Sequence, residues 1–324
     1  IDPTLTSRRL VRMVTMILVC AAFVLMSWHA RRYQNVIRPI ITLMLLGSII
    51  FGLAFPALAI HQETSAELIG AWRGLANHKN GLGALACFGL ILWFHAWVSG
   101  EVKTLRALAG GGIAITCLLL SRSSTSLSVA LFVMLVLWVL LRSQQGFRPY
   151  IPYLIALLMT LVLIYALAIL NLIPGMGTLL APITALTGKD MTLTGRTEIW
   201  AIMAEHIRYH PLLGTGYGAY WTPAPTPGTD AYEFVLRMGG FYPGSAHNGY
   251  LEVLNDLGWA GLLCLLAYIV MHLWQSHQLL GIDRSQGALY LGLFFQQALT
   301  NLSETHWFSV LSVDFVIMTL ATMV

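Results

Sequence analysis

A histidine and two arginines stand where a largely apolar chain turns polar. His247, followed by Asn248, closes a long polar segment and opens the apolar stretch "GYLEVLNDLGWAGLL". An imidazole at a helix N-terminus faces the positive end of the helix dipole, which disfavours its cation. A neutral imidazole is what a general base needs, and the free N–H groups of the same helix end attract anions. Alone, a boundary histidine is more often a hydrogen-bonded structural residue. Two arginines shift the balance toward chemistry. Arg196 precedes an amphipathic segment in "LTGRTEIW", and Arg122 lies in "SRSSTSL" between two apolar runs. A guanidinium near hydrocarbon is costly and is usually paired or functional; its other reading is a side chain snorkelling to the interface. Guanidinium groups grip phosphate in a planar, bidentate way and stabilise charge that develops on a leaving group. A histidine beside such arginines tips the reading toward catalysis on something anionic.

Five further residues are candidates for substrate contact. Arg73, His78 and Lys79 fall in "WRGLANHKNGLG", just before another apolar run; Asn248 follows His247; Tyr217 lies in the glycine-rich "GTGYG". A bare glycine-rich turn is weak support for a phosphate cradle, and its structural reading is the stronger one. Lys79 could equally anchor a helix at the interface. No cluster of carboxylates suggests a divalent metal.

The elements that must position these residues follow from composition. The chain has 324 residues, 57% hydrophobic and only 10% charged, against roughly 25% charged in soluble domains. It cannot cover a water-facing surface, and runs of about 20 apolar residues, the length that crosses a bilayer as helix, recur along it. The expected fold is therefore all-α, a polytopic transmembrane bundle. The net charge of +4 gives no reason to expect nucleic acid as a partner. Cys20, Cys87, Cys117 and Cys264 all fall in apolar runs, which argues against disulfides or zinc.

Nine candidate spans can be read, at 13–30, 39–60, 81–99, 105–121, 125–141, 150–172, 249–274, 286–301 and 307–324. They divide the chain into transmembrane segments 1–172 and 249–324 and a loop domain 173–248, far longer than an ordinary connection. Within the loop, Glu198 to Tyr209 carries Ile199, Trp200, Ile202, Met203, His206 and Ile207 at helical spacing, and Pro211 ends the pattern. The stretch "TPAPTPGTD" is expected to be non-helical and to lie over the surface. Orientation rests on lysine and arginine counts in the connections. One side holds Arg31, Arg32, Arg38, Lys103, Arg106, Arg142, Arg148 and Arg284; the other holds Arg8, Arg9, Arg12, Arg73, Lys79 and Arg122. Eight against six is a small bias, and it places the long loop outside the cytoplasm. Cations on the outer side fit an anionic substrate or, more simply, lipid phosphates. No signal peptide is visible. The start at Ile1 and the stop at Val324 inside an apolar run lead us to expect a longer parent protein.

"HKNGLG", "SRSSTSL", "GRTEIW", "HPLLGTGYGAYW" and "AHNGYLEVLNDLGWAGLL", in that order from about Arg73 to Leu266, closely resemble the O-antigen ligase and polysaccharide polymerase superfamily. What the resemblance implies is a multi-span bacterial inner-membrane protein with a large periplasmic loop. It also implies transfer of a glycan from an undecaprenyl-diphosphate donor without metal or other cofactor, with His247 as catalytic base and Arg196 and Arg122 as essential arginines; the Arg122 match is the least secure. Two acceptors stay open. A ligase moves a finished glycan onto lipid A-core, whose phosphates Arg8, Arg9, Arg12 and Arg73 could hold, and this reading is narrowly preferred. A polymerase moves the growing chain onto a lipid-linked repeat unit. A protein O-oligosaccharyltransferase is a third possibility. A transporter is a fourth, from another class, since Asp314 lies in an apolar run near Glu304 and His306.

Overall fold

The computed structural model describes residues 3–26, 30–63, 68–142, 150, 153–154, 156–158, 160, 164, 196–222, 225–309 and 312–323. The helices are α1 (Pro3–Leu25), α2 (Ala30–Ala54), α3 (Pro56–Ala59), α4 (Lys79–Val98), α5 (Thr104–Leu120), α6 (Ser124–Arg142), α7 (Arg196–Ile207), α8 (Asp230–Arg237), α9 (Gly249–Ile282), α10 (Arg284–Thr300) and α11 (Val313–Met323). Among the described residues the only extended pairing is one antiparallel bridge between Ile60 and Trp72. The chain is an all-α, multi-pass membrane protein. Tyr33–Ala54, Lys79–Val98, Ser124–Arg142 and Gly249–Ile282 are long and apolar enough to cross a bilayer, and α5 and α11 are shorter apolar helices.

Several boundaries differ from the sequence expectation: the helices of the spans expected at 13–30 and 39–60 are Pro3–Leu25 and Ala30–Ala54. The span expected at 307–324 begins as helix only at Val313, because residues 301–309 fold as turns. The span expected at 249–274 continues to Ile282 but is broken at Gly258 (φ 63°, ψ −163°). Most of the span expected at 150–172 lies outside the described residues.

The chain forms two compact units, which cut across the three-segment division expected from hydropathy. One contains residues 1–15, 149–270 and 301–309; the other contains 16–148, 271–300 and 310–324. In the second unit α4 packs against α2, α5, α6, α10 and α11. Small residues let its neighbours approach closely: a Cβ on Gly89 would stand 2.9 Å from Leu45 Cδ1. α10 is buried on nearly every side, Gln296, Gln297 and Thr300 included. It also carries Gln286, whose Oε1 accepts from Gln34 Nε2 at 2.6 Å.

In the first unit, α7 buries Ile199, Trp200, Met203 and Ile207 against Tyr220, Trp221, Phe234, Ala246 and Leu251. Burying a side chain such as Ile199, Met203 or Phe234 contributes about 1.5–3 kcal/mol relative to exposure. The expected glycine-rich turn is a fastener for the break in α9. A helix interrupted at Gly258 leaves peptide groups on both sides without helical partners. Thr215 and Gly216 donate their N–H groups to the carbonyls of Asn255 and Asp256, and Trp259 and Ala260 donate to Pro211 and Leu212. The two backbones touch so closely that a Cβ on Gly214 would lie 2.5 Å from Leu257 N, and Gly214 takes a left-handed φ of 66°.

Candidate active site

Three features fix His247 at the start of α9. Asn248 caps the helix, its Oδ1 accepting from the N–H groups of Tyr250 and Leu251, both at 3.0 Å. Ala246, one residue before the histidine, is held on both faces of its backbone. Its carbonyl accepts from Trp200 Nε1 at 2.8 Å, and its N–H donates to Glu252 Oε2 at 2.7 Å. Between these clamps His247 adopts φ 50°, a conformation uncommon for a side chain with Cβ and typical of strained functional positions. Asn248, expected to touch substrate, is buried at 2% exposure with its carbonyl oxygen committed to the cap. That arrangement makes it a residue that aims His247.

Glu304 stands between the histidine and Arg196. Its Oε1 lies 3.3 Å from Arg196 Nη2, and its Oε2 lies 3.7 Å from His247 Nδ1, at ion-pair range but beyond a hydrogen bond. Arg196, the first residue of α7, also donates from Nη1 to the Ser303 carbonyl at 2.6 Å. Burial alone would push the Glu304 carboxyl up, but contact with the His247 ring and the charge of Arg196 outweigh it and hold the group below the usual carboxylate range. Glu304 is therefore an anion at neutral pH. A carboxylate beside Nδ1 favours the tautomer with the proton on that nitrogen and leaves Nε2 with its lone pair available.

The turn that carries Glu304 is tied to the start of α9 by Asn301. Its carbonyl accepts from Gly249 N–H at 2.8 Å, and its Oδ1 accepts from the N–H groups of His306 and Trp307. Gly249 is required here, because a Cβ would fall 1.9 Å from Asn301 Oδ1. Tyr217 braces the same turn by donating its hydroxyl to the Phe308 carbonyl. Burial pushes that hydroxyl up to about 12, so it remains protonated and able to donate. The N–H groups around Tyr217 are likewise engaged, Gly218 donating to Asp256 Oδ2 at 2.6 Å. The turn thus positions residues, and the phosphate-cradle reading has no donors left at Thr215, Gly216 and Gly218.

Glu304 supplies a test by pH. A carboxyl whose pKa is lower folded than unfolded stabilises the fold above its unfolded value, near 4.3 for glutamate, and loses that contribution as pH falls through the folded value. Glu304→Gln should therefore lower the melting temperature at pH 7, and the gap to the parent should narrow steadily below about pH 4. A gap that is constant with pH, measured by thermal shift in detergent, refutes an ionised Glu304 in the folded state.

The remaining candidates belong to the second unit. Arg122, with φ 52°, occupies the turn between α5 and α6 and donates from Nη1 to the Ile69 carbonyl at 2.9 Å. Its guanidinium lies against Gly70, 3.6 Å from where a Cβ would be. Arg73 donates from Nε to the Leu58 carbonyl at 2.8 Å. His78 caps α4, its Nδ1 accepting from the Asn80 N–H, while the Lys79 N–H donates to Nε2 of buried His61 at 3.2 Å. His61 in turn meets Glu63 Oε2 through Nδ1 at 2.9 Å. The two imidazoles act as acceptors for the first N–H groups of α4.

The model of the O-Antigen ligase family matches residues 109–266 of this chain. The chain is also 31% identical over 225 residues to the exopolysaccharide production protein ExoQ of Rhizobium meliloti (strain 1021), an alignment covering 67% of this chain and 50% of that relative. The chain belongs to the O-antigen ligase and polymerase superfamily. It spans about half the length of the curated relative it matches. The O-antigen ligase match includes Arg122, Arg196, Tyr217, His247 and Asn248 and leaves Arg73, His78, Lys79 and Glu304 outside it.

Sequence reading missed Glu304 as a partner of His247 and treated it only as an acid near an apolar run. The available signal was an isolated acid with a histidine two residues on, in "NLSETHWF" between two apolar segments. His61 and Glu63, in "AIHQE", were missed as well.

Proposed function

We propose that this chain carries the catalytic site of a metal-independent, inverting glycosyltransferase that uses an undecaprenyl-diphosphate-linked glycan as donor. The observation that carries the reading is a single carboxylate, Glu304, bracketed by His247 and Arg196 at the start of α9. Nε2 of His247 takes the proton of the acceptor hydroxyl as its oxygen attacks the anomeric carbon. The new glycosidic C–O bond forms as the bond to the diphosphate breaks, so the anomeric centre inverts. Undecaprenyl diphosphate departs with the electron pair, and the guanidinium groups of Arg196 and Arg122 stabilise its charge. Arg73, His78 and Lys79 are assigned to substrate contact, and Asn248 and Tyr217 to positioning. The proposed setting is the bacterial inner membrane, with the site facing the periplasm and membrane lipids around the spans.

Lipid A-core is the proposed acceptor, a ligase reading supported by the family model's description as O-Antigen ligase. A polymerase acting on lipid-linked repeat units is favoured by a different observation, the 31% identity to an exopolysaccharide production protein. The test gives the purified intact protein an undecaprenyl-diphosphate glycan together with lipid A-core, a lipid-linked repeat unit or a peptide. Product on lipid A-core supports the ligase, product on the repeat unit supports the polymerase, and product with none removes the transferase reading. Transfer should also survive excess EDTA unchanged. Loss on chelation, restored by Mg²⁺ or Mn²⁺, counts against arginine as the main electrostatic partner of the diphosphate.

A further inference from the structure

Two short helices of the first unit turn matching faces toward one cleft. From α7 and the turn after it come Ile202, Glu205, His206 and Tyr209, spaced i, i+3, i+4, i+7, which is one face of a helix. From α8 come Asp230, Glu233, Phe234 and Arg237 with the same spacing. Tyr220 closes the cleft, its ring 4.6 Å from His206 and 6.4 Å from Phe234. The cavity is about 210 Å³, below the roughly 300–1,000 Å³ of pockets for drug-sized ligands. It accommodates one small ring rather than a long apolar chain.

The lining is of two kinds, and together they select a class of ligand. Tyr209, 71% exposed, offers an open aromatic face to the cleft, which is also lined by the buried Tyr220 and Phe234. Around them, Glu205, Asp230 and Glu233 accept hydrogen bonds and Arg237 donates. His206 is held by Asn255 Oδ1 at Nδ1, 2.9 Å away, and approaches Asp230 Oδ2 at 3.4 Å through Nε2. Arg237 pairs with Glu205 at 2.8 Å, which fixes the spacing between α7 and α8. Among the described residues no group of three or more His, Cys, Asp or Glu side chains converges as a metal ion would require. A pyranose ring has an apolar C–H face and a rim of hydroxyls that both donate and accept, which is the complement of this lining. Three carboxylates against one guanidinium repel phosphate and uronic acids.

We propose that this cleft is a sugar-binding subsite for a neutral or amino sugar ring. Taking that ring to be part of the transferred glycan or its acceptor rests on the transferase reading above; the binding itself does not. The test uses the intact protein in detergent and saturation-transfer NMR with methyl glucoside, glucosamine and glucuronate as probes. The glucoside and glucosamine should receive saturation and glucuronate should not. Tyr209→Ala and Glu233→Gln, both exposed, should each weaken binding by about tenfold without lowering the melting temperature. No transfer to the glucoside or glucosamine, equal transfer to glucuronate, or unchanged binding in both cleft variants overturns the proposal. Sugar binding in a protein that makes no glycosidic product leaves the subsite standing and removes the transferase reading; product without sugar binding does the reverse.

Discussion

His247→Ala should lower glycan transfer by the intact protein by about 10²–10⁴-fold, the usual contribution of a positioned general base, while expression and membrane insertion remain at parental levels. The ring is not a packing element: its side chain is 27% exposed, and the backbone geometry around it is held by Ala246, Asn248 and Trp200. Alanine at this position keeps those clamps and removes only the nitrogen proposed to receive the proton. The measurement is single-turnover transfer from an undecaprenyl-diphosphate donor, with thermal unfolding as the control on folding. An alanine variant that transfers at the parental rate eliminates the general base, whatever the acceptor proves to be.

Arg196 should be nearly as demanding, and the manner of its loss is informative. Arg196→Ala removes the charge facing the diphosphate and leaves the buried Glu304 carboxylate without its cation. A preorganised contact of this kind contributes about 3 kcal/mol to the transition state, or more than a hundredfold in rate. Arg196→Lys keeps a positive charge beside Glu304 but lacks the planar fork that binds two oxygens at once. The lysine variant should lose most activity while folding normally, and this separates guanidinium geometry from an unpaired carboxylate. If product forms and the alanine variant makes it at the parental rate, the arginine role falls. In a transporter these substitutions would change solute flux, and the purified protein would form no glycosidic bond.

How far the sequence reaches can be seen at particular residues. Apolar runs and the scarcity of charge were enough for an all-α membrane protein, because the bilayer requires every backbone polar group to be satisfied within a helix or a closed barrel. The spacing of Ile199, Trp200, Ile202, Met203, His206 and Ile207 likewise foretold α7, although Ile202 and His206 are only partly buried. His247, Asn248 and Arg196 stood out because their types are unusual at such boundaries. The helix α8 was passed over beside a run of prolines, although Thr229 as cap and Asp230 and Glu233 in the first turn were legible signals.

What the sequence alone determined, then, is the class of fold, the approximate helices and the residues suited to transfer chemistry, since these follow from local composition and spacing. Tertiary structure decided which of those residues meet. Glu304 is 57 residues beyond His247 and 108 beyond Arg196, and nothing local reveals that a turn clamped by Asn301 and Tyr217 brings its two oxygens to both. Tertiary structure also showed what Asn248 and the "GTGYG" turn hold together, the cap of α9 and the break at Gly258. A side-chain amide or a free N–H reads the same in sequence whether it faces a ligand or a broken helix, and only the partner across space distinguishes them.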